Sequence, residues 1–222
     1  MPKAVRERSG AGRKRRVMIW GAGGHALVVA DIVRLAGEYE LAGFVDRADR
    51  ERRGGMLLGL PIVGGRDELG GVEHFIVAIG DCATRLALAN EGTAMGLRLA
   101  TAVHPRATIA RDVELGAGSV VAAGAVINPA TRIGENVIVN TAASIDHECV
   151  LEDGVHVSPG ARLAGRVRVG RGAWIGIGAT VIEEVRIGAG ALVGAGAVVV
   201  GDVAEGVVAV GIPARPRCGS ST

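Results

Sequence analysis

Val103, Ile109, Leu115, Val121 and every sixth residue after them as far as Val199 are Val, Ile or Leu, 17 positions without an exception. These three types make up little more than a quarter of the chain, so chance does not produce the run. The residue four places further on, from Ala107 to Val203, is always Ala, Val, Ser, Thr or Cys. A period of six is neither helical nor the simple alternation of a half-buried strand; it is the hexapeptide signature of a parallel β-helix. One branched aliphatic per hexad fills the interior, and a small residue near each corner lets the chain turn. Three hexads close one triangular coil of 18 residues, so the run predicts nearly six coils. Stacked strands lie about 4.8 Å apart. A narrow interior also accounts for a composition with 36 glycines among 222 residues and only five aromatic side chains.

The preceding residues follow another rule. Val17–Trp20 reads as a short strand, Gly21-Ala-Gly-Gly-His25 breaks it, and Ala26–Leu35 carries apolar residues at helical spacing. Strands at Leu41–Val45 and Phe75–Ile79 and a helix over Cys82–Met95 complete an α/β unit over 17–100, and such alternation implies a parallel sheet. The β-helix then occupies 101–204 and a tail 205–222. Residues 1–16 hold seven basic side chains against Glu7 and read as a disordered leader. The rest of the chain is net acidic, which argues against nucleic acid as a partner. No stretch has the roughly 20 apolar residues of a membrane span, and no secretory signal is visible. Cys82, Cys149 and Cys218 are odd in number and lack metal-ligand spacing, which suits a reducing cytoplasm.

The glycine turn follows a strand and opens a helix, the context in which backbone amides cradle a phosphate. Asp46 ends the next strand, where a dinucleotide fingerprint places its acid. A unit of about 84 residues lacks the second mononucleotide half of a dinucleotide site, however. His147 stands third in its hexad, off the interior, and imidazole has the proton affinity of a general base at neutral pH. Either Asp146 or Glu148 could orient it, and sequence leaves both open. Adding one coil to 147 gives Gly165, whose bare backbone would allow an oxyanion to reach its N–H. His156 lies half a coil from His147, on the opposite side of a prism, so the two would converge only between neighbouring prisms. Trp174 lies one coil after His156 and either lines a groove or is structural. His104 reads as a junction residue. Three histidines that do not converge leave no basis for a metal centre.

The hexapeptide run resembles the left-handed β-helix acyltransferases. Within them, 17–215 resembles the N-acetyltransferases that act on nucleotide-linked 4-amino sugars, the bacillosamine and perosamine type, with a sialic acid O-acetyltransferase branch close by. The motifs that carry this are Gly21–His25, Phe44-Val-Asp46, Val77–Gly80, Val139-Asn-Thr141, Ile145-Asp-His-Glu-Cys149, His156–Gly160 and Val210–Arg215. The resemblance implies a Rossmann-like α/β domain followed by a left-handed parallel β-helix, a homotrimer, and acetyl-CoA as co-substrate with no metal. It implies that His147 and Glu148 form the catalytic base and that Gly165 donates to the oxyanion. It assigns His156, with backbone near Ile177 and Ala195, to acetyl-CoA. The nucleotide-linked amino sugar is expected at Gly23, Gly24 and His25, at Asp46 and Arg47, and at Gly80 and Asn140. The competing expectations are O-acetylation and a silent, nucleotide-binding trimer.

Overall fold

The computed structural model describes residues 14–49 and 51–217. Most of the basic leader, and Cys218, lie outside the described residues. No helix among the described residues is long and apolar enough to cross a membrane.

Six strands and two helices form the first unit: β1 (Arg15–Trp20), α1 (Gly24–Ala36), β2 (Tyr39–Val45), β3 (Met56–Leu57), β4 (Leu60–Val63), β5 (His74–Val77), α2 (Cys82–Ala94) and β6 (Arg98–Leu99). The sheet order is β3-β4-β2-β1-β5-β6, parallel except for the β3–β4 hairpin. Strand β1 starts at Arg15, inside the segment expected to be leader. The Arg15 guanidinium lies 5.2 Å from the centre of the Tyr39 ring, and Arg16 donates to the Leu69 carbonyl at 3.0 Å. Those partners draw both residues into the sheet. Helix α1 also starts earlier than its apolar pattern, because Gly24 and His25 supply its first turn without contributing to the buried stripe.

From Ala102 the chain winds into a triangular parallel β-helix of two-residue strands, with paired residues 18 positions apart until the last coil, where Leu192 pairs with Val208 and Ile187 with Val203, 16 positions on. The first face runs from Ala102–Val103 to Val208–Val210, the second from Thr108–Ile109 to Val198–Val199, and the third from Glu114–Leu115 to Arg186–Ile187. The hexad aliphatics and the small corner residues make one continuous core from Val121 to Ala209. The first face extends beyond the hexad run: Val208–Val210 pairs with Leu192–Val193 and then antiparallel with Arg215–Pro216, so part of the expected tail belongs to the prism.

The two units are not joined by a linker. Ala102, Val120 and Ala122 of the β-helix, with Ala100 just before it, share a buried cluster with Ala26, Val29, Ala30 and Val33 of α1. The α/β unit therefore sits on the first face of the prism, and this places the site.

Candidate active site

His147 follows the strand Ser144–Ile145 on the corner between the second and third faces. Asp146 shapes that corner. Its Oδ1 accepts from Asn128 Nδ2 and from the His147 backbone N–H, both at 2.8 Å. Those bonds hold its carboxyl below the usual carboxylate range, the Asn128 bond contributing most. With Asp146 occupied, Glu148 takes the ring: His147 Nδ1 lies 3.0 Å from Glu148 Oε2. A carboxylate only accepts, so Nδ1 carries the proton and Nε2 presents its lone pair. The geometry depends on a left-handed Glu148, whose φ of 59° turns the carboxylate back onto the preceding residue.

Gly165 lies one coil above, against the ring. A Cβ built on it would fall 2.6 Å from His147 Cε1 and 2.7 Å from Nε2, closer than real Cβ atoms approach. The Gly165 carbonyl accepts from the Glu184 N–H at 3.0 Å, while its own N–H has no hydrogen-bond partner among the described residues. A free donor beside a basic nitrogen is a place where a proton can leave an amine while an oxyanion is held.

Continuing the count of 18 finds residues that the motif reading passed over. Arg166 Nη1 approaches Glu148 Oε2 at 3.8 Å, and its Nε donates to Glu184 Oε1 at 2.8 Å. Glu148, Arg166 and Glu184 stand 18 apart, and all three have positive φ, so they form one charged column along the corner. They are about half exposed, so the column orients Glu148 more than it stabilises the fold.

A second cluster lies where β5 and α1 meet the first face. His156 is 6% exposed. Its Nδ1 is 3.2 Å from the Gly80 carbonyl, its Nε2 is 3.3 Å from Asn140 Nδ2, and its ring stacks on Trp174 with centroids 4.9 Å apart. Trp174 Nε1 donates to Ser158 at 2.7 Å. The His25 ring lies 6.5 Å away, and its buried Nε2 has no partner among the described residues. Sequence grouped His156 with Ile177 and Ala195 and expected it to face another prism. Its own α/β unit covers it instead, because that unit packs on the face that carries it. Ile177 remains 56% exposed, and Ala195 is exposed beyond it.

Burial pushes the pKa of His25 and of His156 down from 6.5 to about 4. In both, desolvation is the largest cause and the Arg85 charge the second. Between those values the unfolded chain binds protons that the folded chain refuses. Stability from these rings is therefore complete above pH 6.5 and is lost as pH falls towards 4, by at most about 3 kcal/mol per ring. Unfolding temperatures measured from pH 7.5 to 4.5 should fall with acid, and less steeply in His156→Phe. Parallel curves for the two proteins would refute the assignment.

The glycine turn has the expected form. Gly21 has φ of 116° and packs so closely that a Cβ would meet the Ala78 carbonyl at 2.9 Å. Gly23 caps α1 with no side-chain bond, so the first amides of Gly24 and His25 have no hydrogen-bond partner among the described residues. Asp46 Oδ1 accepts from the Ala48 and Asp49 N–H groups at 3.1 Å, so part of this acid shapes its own turn. Arg47 departs from expectation. Its two Nη atoms chelate Glu91 at 2.7 and 2.6 Å, and its guanidinium lies 4.6 Å from the Trp20 ring centre. Arg52 approaches the turn in its place, donating to the Ala22 carbonyl at 2.8 Å, and Arg53 donates to the Asp46 carbonyl at 3.0 Å. The arginine-rich stretch after β2 was the available signal.

Comparisons with known proteins fit this architecture. Residues 16–91 match the family described as the PglD N-terminal domain, and 166–201 match the bacterial transferase hexapeptide repeats. A histidine-to-asparagine variant of perosamine N-acetyltransferase from Caulobacter crescentus, solved with CoA and GDP-perosamine, is 42% identical. The match covers 91% of this chain and 97% of that one, with a TM-score of 0.85. The acetyltransferase domain of PglB from Neisseria gonorrhoeae, in complex with acetyl coenzyme A, is 37% identical over 92% of this chain and 100% of that one, with a TM-score of 0.85. WeeI from Acinetobacter baumannii is 27% identical over the same shares, with a TM-score of 0.84. No curated protein sequence matches the chain.

Proposed function

The chain belongs to the PglD-type sugar N-acetyltransferases with hexapeptide repeats, and from that premise we propose that His147 is the general base for acetyl transfer to the amine of a nucleotide-linked 4-amino-4,6-dideoxy sugar. The enzyme is an acetyl-CoA-dependent N-acetyltransferase whose α/β unit precedes a left-handed β-helix. The observation that carries the residue assignment is the His147–Glu148 pair with Gly165 packed against Nε2.

The chemistry follows from that geometry. The sugar amine attacks the thioester carbonyl carbon and gives its proton to His147 Nε2. Glu148 stabilises the imidazolium that forms. The carbonyl oxygen becomes an oxyanion and accepts from the Gly165 N–H. Collapse breaks the carbon–sulfur bond, and the proton on Nε2 passes to the departing thiolate. The glycine turn with Arg52 holds the diphosphate of the acceptor sugar nucleotide, with His25, Gly80 and Asn140 lining the crevice towards the sugar. The nucleotide is GDP or UDP; the relative solved with GDP-perosamine shares the same two-unit chain.

Free CoA, followed with a thiol reagent, should appear only when a nucleotide-linked amino sugar accompanies acetyl-CoA. Equal release with a hydroxyl-only sugar nucleotide would favour O-acetylation, and no release with any acceptor would leave a binding protein. We further infer a homotrimer in which each site lies between two prisms, because His147 and the Ile177–Ala195 corner lie on different edges of one prism. Sedimentation at working concentration should give the trimer mass; a monomer with full turnover would defeat the shared site.

A further inference from the structure

Arg85 belongs to the first turn of α2, and its side chain is 0% exposed. No carboxylate pairs with it among the described residues. Its guanidinium instead donates to backbone carbonyls of both units. Nη1 reaches Ile79 at 3.0 Å and Gly80 at 2.9 Å, Nε reaches Asn136 at 3.1 Å, and Nη2 reaches Gly154 and Val155. Asn136, left-handed and 2% exposed, returns the contact by donating from Nδ2 to the Arg85 carbonyl at 3.0 Å. Nη2 also lies 3.5 Å from Cys82 Sγ, within the same helix turn. A buried cation without a counter-ion is costly, so a site that satisfies it with carbonyls and one thiol invites a reason beyond packing.

The Gly80 carbonyl supplies that reason. It accepts from Arg85 Nη1 and also faces His156 Nδ1. A carbonyl offers no proton, so the only hydrogen bond possible there has Nδ1–H as donor. His156 Nε2 is then a lone-pair acceptor, which suits its contact with the Asn140 amide. Gly80 passes beneath both rings: a Cβ on it would stand 3.9 Å from His156 Cε1 and 3.9 Å from Trp174 Cη2. A displaced Gly80 would therefore disturb the stack as well as the proton.

We propose that Arg85 is a positioning residue for acetyl transfer: by clamping the Gly80 carbonyl between the α/β unit and the prism, it fixes His156 as the Nδ1–H tautomer with Nε2 facing the Asn140 amide of the crevice. The proposal rests on the reading that this crevice takes the amino-sugar substrate. Lysine cannot replace the clamp, since one ammonium has three donors and no planar fork to span five carbonyls.

The test begins with the unaltered protein. Nitrogen-15 histidine spectra should show His156 as Nδ1–H, unchanged from pH 8 to pH 5.5. An Nε2–H signature or an imidazolium in that range overturns the proposal without any variant. In Arg85→Lys the signature should become a tautomer mixture, and kcat should fall about 10²-fold with the KM for acetyl-CoA little changed, the usual cost of misplacing a group by about 1 Å. A folded Arg85→Lys that keeps the tautomer and the turnover shows a purely structural arginine and overturns the idea. If that variant does not fold, the wild-type tautomer still decides. Failure of the wild type to release CoA with any amino-sugar nucleotide would sink the function reading and leave the tautomer result standing, so the two failures are distinguishable.

Discussion

Folded His147→Ala turns over about 10²- to 10⁴-fold more slowly than the parent at saturating substrates, the range that loss of a general base produces. The side chain is 46% exposed and stands outside the interior ladder, so its removal leaves the prism core untouched. The corner itself survives, because Asp146 holds the backbone N–H of residue 147 rather than its ring. Glu148→Gln should cost less than His147→Ala, since an amide still accepts from Nδ1 and only the charge that favours imidazolium is gone. Arg166→Ala should act in the same direction and more weakly, because Glu148 keeps its bond to the ring. Steady-state kinetics with circular dichroism on each variant separates these outcomes. A folded His147→Ala with parental kcat would remove the base from His147 and the mechanism with it.

The order of effects expected along that column reflects how a β-helix encodes itself. Its interior is one-dimensional: a residue packs against those 18 before and 18 after, so the Val103–Val199 ladder and the Gly165–His147 contact follow from counting. Arg166 and Glu184 were legible by the same count, which stops short only where motif matching replaces arithmetic. Lateral packing is a different matter. Nothing in the hexads says which outward face an adjoining unit covers, and so His156 was expected to face another prism although His25 of α1 and Gly80, just after β5, cover it. Arg85 carries little signal of its own, since five of its acceptors are backbone carbonyls, which have no sequence, and the sixth is the Cys82 thiol. Arg47 and Arg52 differ by what lies opposite them after folding: Glu91 and Trp20 take one, and the Ala22 carbonyl takes the other. Composition along the stretch after β2 shows a cationic loop and leaves its members indistinguishable. Arg15 and Arg16 made the same point in reverse, their charge reading as leader while Tyr39 and the Leu69 carbonyl bring them into β1.

Gly165→Ala tests the other half of the catalytic pair with the smallest possible change. The backbone at Gly165 has no left-handed φ, so alanine meets no backbone strain there. The new methyl would instead lie 2.6 to 2.7 Å from His147 Cε1 and Nε2, and an aromatic ring against backbone cannot yield without rotating. Rotation breaks the 3.0 Å contact between Nδ1 and Glu148, and the methyl covers the approach to the Gly165 N–H. Both consequences act on the transition state, so kcat should fall about 10²- to 10³-fold, as for loss of an oxyanion donor, while KM values stay near those of the parent. Gly201→Ala, where a Cβ meets nothing within 4 Å, should leave turnover unchanged and controls for the substitution itself. The unfolding temperature of Gly165→Ala should move little, because the displaced ring is half exposed and outside the core. Turnover within about threefold of the parent would mean that the methyl is accommodated and that the oxyanion is held by some other donor.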